Sequence, residues 1–213
     1  MSQCLEAVWI WMGRNRLRLN PSKTEWLWFP TSRYSQLTPS LTIGGESLAP
    51  TERARNLGVL LDSRLSLEEH LTAVTRRIFH QVRLIRQLRP FLDRDSLHTV
   101  THALVTSRLD YCNALYMGLP LRSTRRLQLA QSAAARVVMG ATWRSHVTPL
   151  LRELHWLPVV FRVRFKVLVT TFRALHDLGP GYLRHHLLPQ TASHQPVRSH
   201  REGLLRVPSA KQC

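Results

Sequence analysis

"SLEEHLTAVTRRIFHQVRLIRQLRP", Ser66 to Pro90, is the stretch whose reading decides the fold. Leu67, Leu71, Val74, Ile78, Val82, Ile85 and Leu88 recur at alternating three- and four-residue spacing, the period of one helical face. Ser66 and Glu69 read as a capping box, with Ser66 accepting from the Glu69 amide while the carboxylate reaches back. Pro90 cannot continue the hydrogen-bond ladder and is expected to end the helix. The opposite face carries Arg76, Arg77, His80, Arg83 and Arg86.

Upstream, residues 3–15 place Leu5, Val8, Trp9 and Met12 on one helical face. "EWLWF" (25–29) and "SLTIGG" (40–45) have strand composition, with a tight turn at Gly44-Gly45. "RNLGVLLD" (55–62) reads as a third strand with a glycine inside it, the mark of a bulge or a close backbone approach. Downstream the pattern stays helical. Asp93 is expected to cap a helix with Leu97, Val100, Leu104, Ser107 and Tyr111 inward. A further helix runs through Leu127, Ala130, Ala134, Val137 and Val138 to Gly140, and small Ala133 to Ala135 permit close packing. Thr148 with Pro149 reads as N-cap and first helical position. Residues 158–178 alternate like a strand at first, yet Phe161, Phe165, Leu168, Phe172 and Leu175 keep helical spacing, and the run outlasts a normal strand, so it reads as helix. From Pro189 onward the chain is polar, lacks periodicity and is expected to be disordered. The expected fold is α+β, mostly α. A partial sheet of short antiparallel strands occupies 1–65, a helical bundle 66–188 and a basic tail 189–213.

Composition narrows the function. Thirty Lys+Arg face 13 Asp+Glu over 213 residues, a formal net charge of +17, and 44% hydrophobic residues suffice for a core. Only Lys23, Lys166 and Lys211 are lysines. Arginine forks match phosphate geometry and stack on bases, so the bias points to nucleic acid. Cys4, Cys112 and Cys213 are too far apart for a CxxC pair and odd in number. A reducing compartment, cytoplasm or nucleus, is therefore expected. The longest apolar-looking run, Pro158 to Phe172, contains Arg162, Arg164 and Lys166, which argues against a membrane span.

Three stretches, "LRLNPSKTEWLWF" (17–29), "LTIGGESLAP" (41–50) and "ARNLGVLLDSRLSLEEHL" (54–71), follow one another in a telling order. They resemble the end of the palm in reverse transcriptases of LINE-type non-LTR retrotransposons. "RLDYCNALYMGLP" (108–120), "RLQLAQSAAARVVMG" (126–140), "LHWLPVVFRVRFKVLV" (154–169) and "GPGYL" (179–183) resemble the thumb and the region after it. The resemblance covers roughly residues 5–190 and implies a strand–turn–strand with Asn-x-x-Lys-Thr, then a hairpin at "LGV" that grips the primer. In the family the lysine matching Lys23 lies near the incoming nucleotide and assists pyrophosphate departure. The paired aspartates of a "Phe/Tyr-Ala-Asp-Asp" hairpin, which hold two Mg²⁺ ions in the intact polymerase, occur nowhere in this sequence. The resemblance thus implies a palm core, fingers and endonuclease lying ahead of this stretch, a Lys23 without its metals, and a chain without polymerase activity or a cofactor of its own.

Other chemistry is poorly supported. Asp93 and Asp95 suit a helix start better than a metal. His146, His155, His176, His185 and His186 lack the usual zinc spacing, and no GxSxG nucleophile motif occurs. Trp9 and Trp156 read as core, while Trp26 and Trp28, alternate residues of one expected strand, read as base-stacking candidates. The expected nucleic-acid-binding set is Arg76, Arg77, Arg83, Arg86, Trp26 and Trp28. The expected partner is RNA or DNA, a template–primer duplex bound without sequence preference. The alternative is a basic helical protein-interaction module, or a translated relic with no selected function.

Overall fold

The computed structural model describes residues 2–30, 40–43, 45–188 and 205–206. The chain forms two compact units, one from Met1–Cys112 with Gly118–Val159 and the other from Asn113–Met117 with Val160–Cys213. The fold is α+β and mostly α.

The first unit begins with helix α1 (Ser2–Arg14), followed by a short 3-10 turn at Pro21–Lys23. Strands β1 (Leu41–Ile43) and β2 (Glu46–Leu48) pair antiparallel, as do β3 (Arg53–Asn56) and β4 (Val59–Asp62), in two separate two-stranded sheets. Gly45 turns the first hairpin at φ 87°. Residues 25–29 do not form the expected strand: only Leu27 makes an isolated parallel bridge, to Thr51. Nor is 55–62 one strand. Leu57 and Gly58 take φ 46° and 83° and fold it into a hairpin, because positive φ at both central residues matches the twist of the flanking strands. The glycine thus serves a turn rather than a bulge.

Helix α2 (Glu68–Leu88) is the centre of this unit. Leu71, Ile78, Val82 and Ile85 are buried on one face, as expected, whereas Leu88 is 46% exposed. The expected capping box does not form. Leu67 is the N-cap residue, left-handed at φ 56°, and no side chain caps the helix from that position. Asp62 instead fixes the turn that leads into the helix: its carboxylate accepts from the amides of Arg64, Ser66 and Leu67 at 3.1, 3.0 and 2.8 Å. Glu69 instead pairs with Arg53 at 2.8 Å.

Asp93 caps helix α3 (Arg94–Thr101) as expected, accepting from the Ser96 amide at 2.7 Å. A π-helical turn at His102–Thr106 then leads into α4 (Ser107–Asp110). A π turn inserts one residue and rotates the following face by roughly 100°. Thr101, Val105, Thr106 and Leu109 are therefore buried, while Ser107 and Tyr111 of the expected inward set are exposed. Helix α5 (Leu121–Met139) buries Leu127, Ala130, Ala134, Val137 and Val138 and ends at Gly140 in the left-handed region, φ 64°. Its small side chains lie along α2, its main partner. Buried Gln131 donates to the Leu157 carbonyl at 2.8 Å, and Gln128 accepts from the Val159 amide at 2.9 Å. This glutamine pair fixes the segment after α6 (Val147–Glu153). The N-cap of α6 is His146 rather than Thr148, a shift of two residues at a frayed end.

The second unit holds a 3-10 turn at Asn113–Tyr116, most of α7 (Val159–Leu175) and α8 (Gly181–His185). The helical reading of 158–178 holds. Beyond Leu188, the Arg206 amide donates to the Leu188 carbonyl at 2.8 Å. Residues 189–204 and 207–213, the rest of the expected tail, lie outside the described residues.

Candidate nucleic-acid interface

Arg76, Arg77, His80, Arg83 and Arg86 are all exposed on α2. At about 100° per residue, Arg76, His80 and Arg83 lie within roughly 60° of one another, while Arg77 and Arg86 fall on opposite edges of the helix. The surroundings follow this division. Arg77 lines a cavity of about 510 Å³ together with Gly58, His70, Arg108 and Tyr111. Arg86 lines another, of about 410 Å³, with Arg89, Arg136 and Trp143. The four arginines therefore make a central stripe with one cleft on each flank, rather than one flat face.

The first turns of α2 are held by the β3–β4 hairpin. The Leu60 amide donates to His70 Nδ1 at 3.3 Å, which requires that nitrogen to be unprotonated. Burial pushes the His70 pKa down, and the charges of Arg77 and Arg55 push it further. The Tyr111 hydroxyl donates to the Leu57 carbonyl and so closes the hairpin turn from a residue 54 positions away. At Asp62 burial works to raise the pKa, but the amide hydrogen bonds from Ser66 and Leu67, with those from the Ser66 hydroxyl and the Arg64 amide, outweigh it and hold the carboxyl below its usual range.

Lys23 is exposed at the end of the 3-10 turn. Asn20 builds that turn: its side-chain oxygen accepts from the Ser22 amide at 3.0 Å, and its carbonyl from the Thr24 hydroxyl at 2.9 Å. The Asn-x-x-Lys-Thr spacing thus has a conformational reason, with Asn20 and Thr24 closing a turn that projects the lysine between them. Trp26 and Trp28 lack the expected strand. Both are half-buried, and their rings pack at 6.2 Å between centroids. Trp156 is buried, edge-on to His98 at 6.0 Å. Trp143, at 77% exposure, is the most exposed indole among the described residues.

The Asp62 carboxylate is taken up by amides of the turn before α2 and that of Asp93 by the start of α3, and among the described residues no group of three or more His, Cys, Asp or Glu could hold a metal ion. Among those residues, too, no helix is long and apolar enough to cross a membrane. Two features escaped the sequence reading. Asp62 was readable in principle, since an Asp side chain in a turn commonly accepts from the amide two residues on, here that of Arg64. The Arg86–Trp143 cleft had no local signal, because it joins positions 57 residues apart in sequence (143 − 86).

Comparison with known proteins supports a reverse-transcriptase-like relationship. Over 163 residues, 73% of its length, it is 30% identical to a Drosophila melanogaster protein described as "Probable RNA-directed DNA polymerase from transposon BS". The chain spans only 17% of that relative's length. No protein-family profile and no solved structure matches it.

Proposed function

We propose that the chain is the C-terminal part of a LINE-type non-LTR retrotransposon reverse transcriptase, without polymerase activity of its own, that binds nucleic acid non-specifically. In this reading residues 1–65 correspond to the end of the palm and 66–188 to the thumb and the region after it. The observation that carries the proposal is the exposed stripe of Arg76, His80 and Arg83 on a helix whose other face buries Leu71, Ile78, Val82 and Ile85. A rigid cationic ridge of this kind can follow a phosphate backbone without reading bases. The relationship to an RNA-directed DNA polymerase supports it.

The test is salt-dependent binding to an RNA–DNA or DNA duplex. Each neutralised phosphate contributes about −0.9 to the slope of log K against log salt on duplex DNA. Arg76→Ala with Arg83→Ala should flatten that slope by up to about two units and leave helix content unchanged. Removal of residues 189–213 isolates the contribution of Arg198, Arg201, Arg206 and Lys211. Should the truncation abolish binding while the double alanine changes nothing, the affinity is tail electrostatics and the thumb reading fails. Primer extension with Mg²⁺ should give no product; incorporation that survives repurification would overturn the assignment of inactivity.

A further inference from the structure

The cleft on the Arg86 edge of α2 combines two features that nucleotides join chemically. It is a cavity of about 410 Å³ lined by Arg86, Arg89, Arg136 and Trp143, with no acidic side chain among its lining residues. That volume lies in the range of small-ligand sites, roughly 300–1,000 Å³. Trp143 is 77% exposed, and the Arg144 guanidinium lies 4.9 Å from its ring centroid. One face of the indole is thus taken by a cation, while the high exposure leaves aromatic surface open. An indole this exposed adds little to a core, and its flat face suits a base.

The cations are positioned as well as present. Gly140 closes α5 at φ 64°, and a Cβ built there would fall 2.1 Å from Arg89 Nη2. The guanidinium rests against this glycine at the carbonyl end of α5, where the helix dipole favours a cation. Arg136 donates from Nε and Nη2 to the Ser145 carbonyl at 3.3 and 3.2 Å. This ties α5 to the loop that carries Trp143.

We infer that this cleft is a site for an unpaired nucleotide, with the base stacked on Trp143 and the adjacent phosphates held by Arg86 and Arg89. The inference rests on the nucleic-acid reading above and goes beyond it. The α2 stripe offers only charge and suits a duplex backbone, whereas an indole platform can be used only by a base that has left its stack. The chain would then meet a junction, with duplex along the stripe and a single strand entering the flanking cleft.

The experiment uses the full chain with three fluorescein-labelled probes: oligo(dT), an abasic strand of the same length, and a blunt duplex. Trp143→Ala should weaken oligo(dT) binding by roughly 5- to 150-fold. Trp143→Phe should retain most of the affinity, because a ring remains. Neither change should move the abasic strand or the duplex. Arg86→Ala with Arg89→Ala should weaken oligo(dT) and the abasic strand alike. Equal affinity of wild type and Trp143→Ala for oligo(dT), or an equal loss on the abasic strand, overturns the stacking site. If duplex binding still falls with Arg76→Ala/Arg83→Ala, only this inference has failed. If the wild type binds none of the probes, both readings fall.

Discussion

Helices α2 and α7 each carry apolar residues at helical spacing beside a run of basic ones, and the structure treats them in opposite ways. In α2 the recurring Leu71, Ile78, Val82 and Ile85 are between 0 and 3% exposed, and the arginines point to solvent. In α7 the recurring Phe161, Phe165, Leu168 and Phe172 are 52 to 67% exposed, while the smaller Val159, Val163 and Ala174 are buried. The sequence of α7 offers two apolar stripes, and the one with the larger side chains is the one left outside. Helical periodicity therefore identifies the element in both cases but selects the packed face only where a single stripe exists. In α2 arginines fill the alternatives, so burial has one solution.

The largest consequence is expected at Ile78. It is 0% exposed at the middle of α2, and Ile78→Ala should cost about 2–5 kcal/mol, the lost transfer energy plus a cavity against α5. Urea melts would measure it. A cost below about 1 kcal/mol would mean the α2–α5 seam can collapse around the gap, and the contrast with α7 would weaken.

Next is Asp62, which gathers the amides of the turn leading into α2. Asp62→Ala should cost about 1 kcal/mol, the order of a net hydrogen bond, because solvent still reaches the carboxylate. The sign with pH follows from its depressed pKa. The contribution is present above the ordinary carboxylate value and is lost as pH falls through the lower folded one. The variant should therefore lose part of the wild type's acid-induced destabilisation at the bottom of the pH range.

These residues also show where the sequence was legible. The α2 stripe, the Asp93 cap, the α5 core and the helical nature of α7 follow from period and local chemistry, which one stretch of chain contains. The turn held by Asp62 was missed because Ser66 and Glu69 matched a familiar capping pattern, while two left-handed residues, Leu65 and Leu67, bend the chain away from it. The inward face after Thr101 was misplaced because the π turn breaks the 3.6-residue count, and nothing in His102–Thr106 announces it. In the candidate site, the arginines of α2 were readable as exposed. Their division between a stripe and two clefts was not, since it depends on Tyr111, Arg108, Arg136 and Trp143 arriving from α4, α5 and the loop beyond.

A smaller effect is expected at His70, on the hairpin side of α2. Its Nδ1 must stay unprotonated to accept from Leu60, and its pKa is lowered in the folded chain. The unfolded chain binds the proton first, so stability is full above the ordinary histidine value of about 6.5 and declines as pH falls below it. His70→Gln can still accept a hydrogen bond but cannot titrate, and it should flatten the melting temperature between neutral and mildly acidic pH. An unchanged profile in the variant would assign the acid sensitivity to other groups.

The smallest effect is expected on the exposed stripe of α7, and it decides whether the comparison stands. Leu168 is 67% exposed, so less than half of its side chain can contribute burial energy. Full burial of a leucine is worth about 1.5–3 kcal/mol, and alanine, the best helix former, returns a few tenths. Leu168→Ala should thus stay within about 0.5 kcal/mol of wild type, the ordinary range for a surface change. Hydrogen exchange along α7, together with the melt, separates two meanings of a larger loss. A loss of 2 kcal/mol or more, with slower-exchanging amides around Leu168 than around Val163, would show that the large apolar stripe is covered in solution. The two helices would then obey one rule after all.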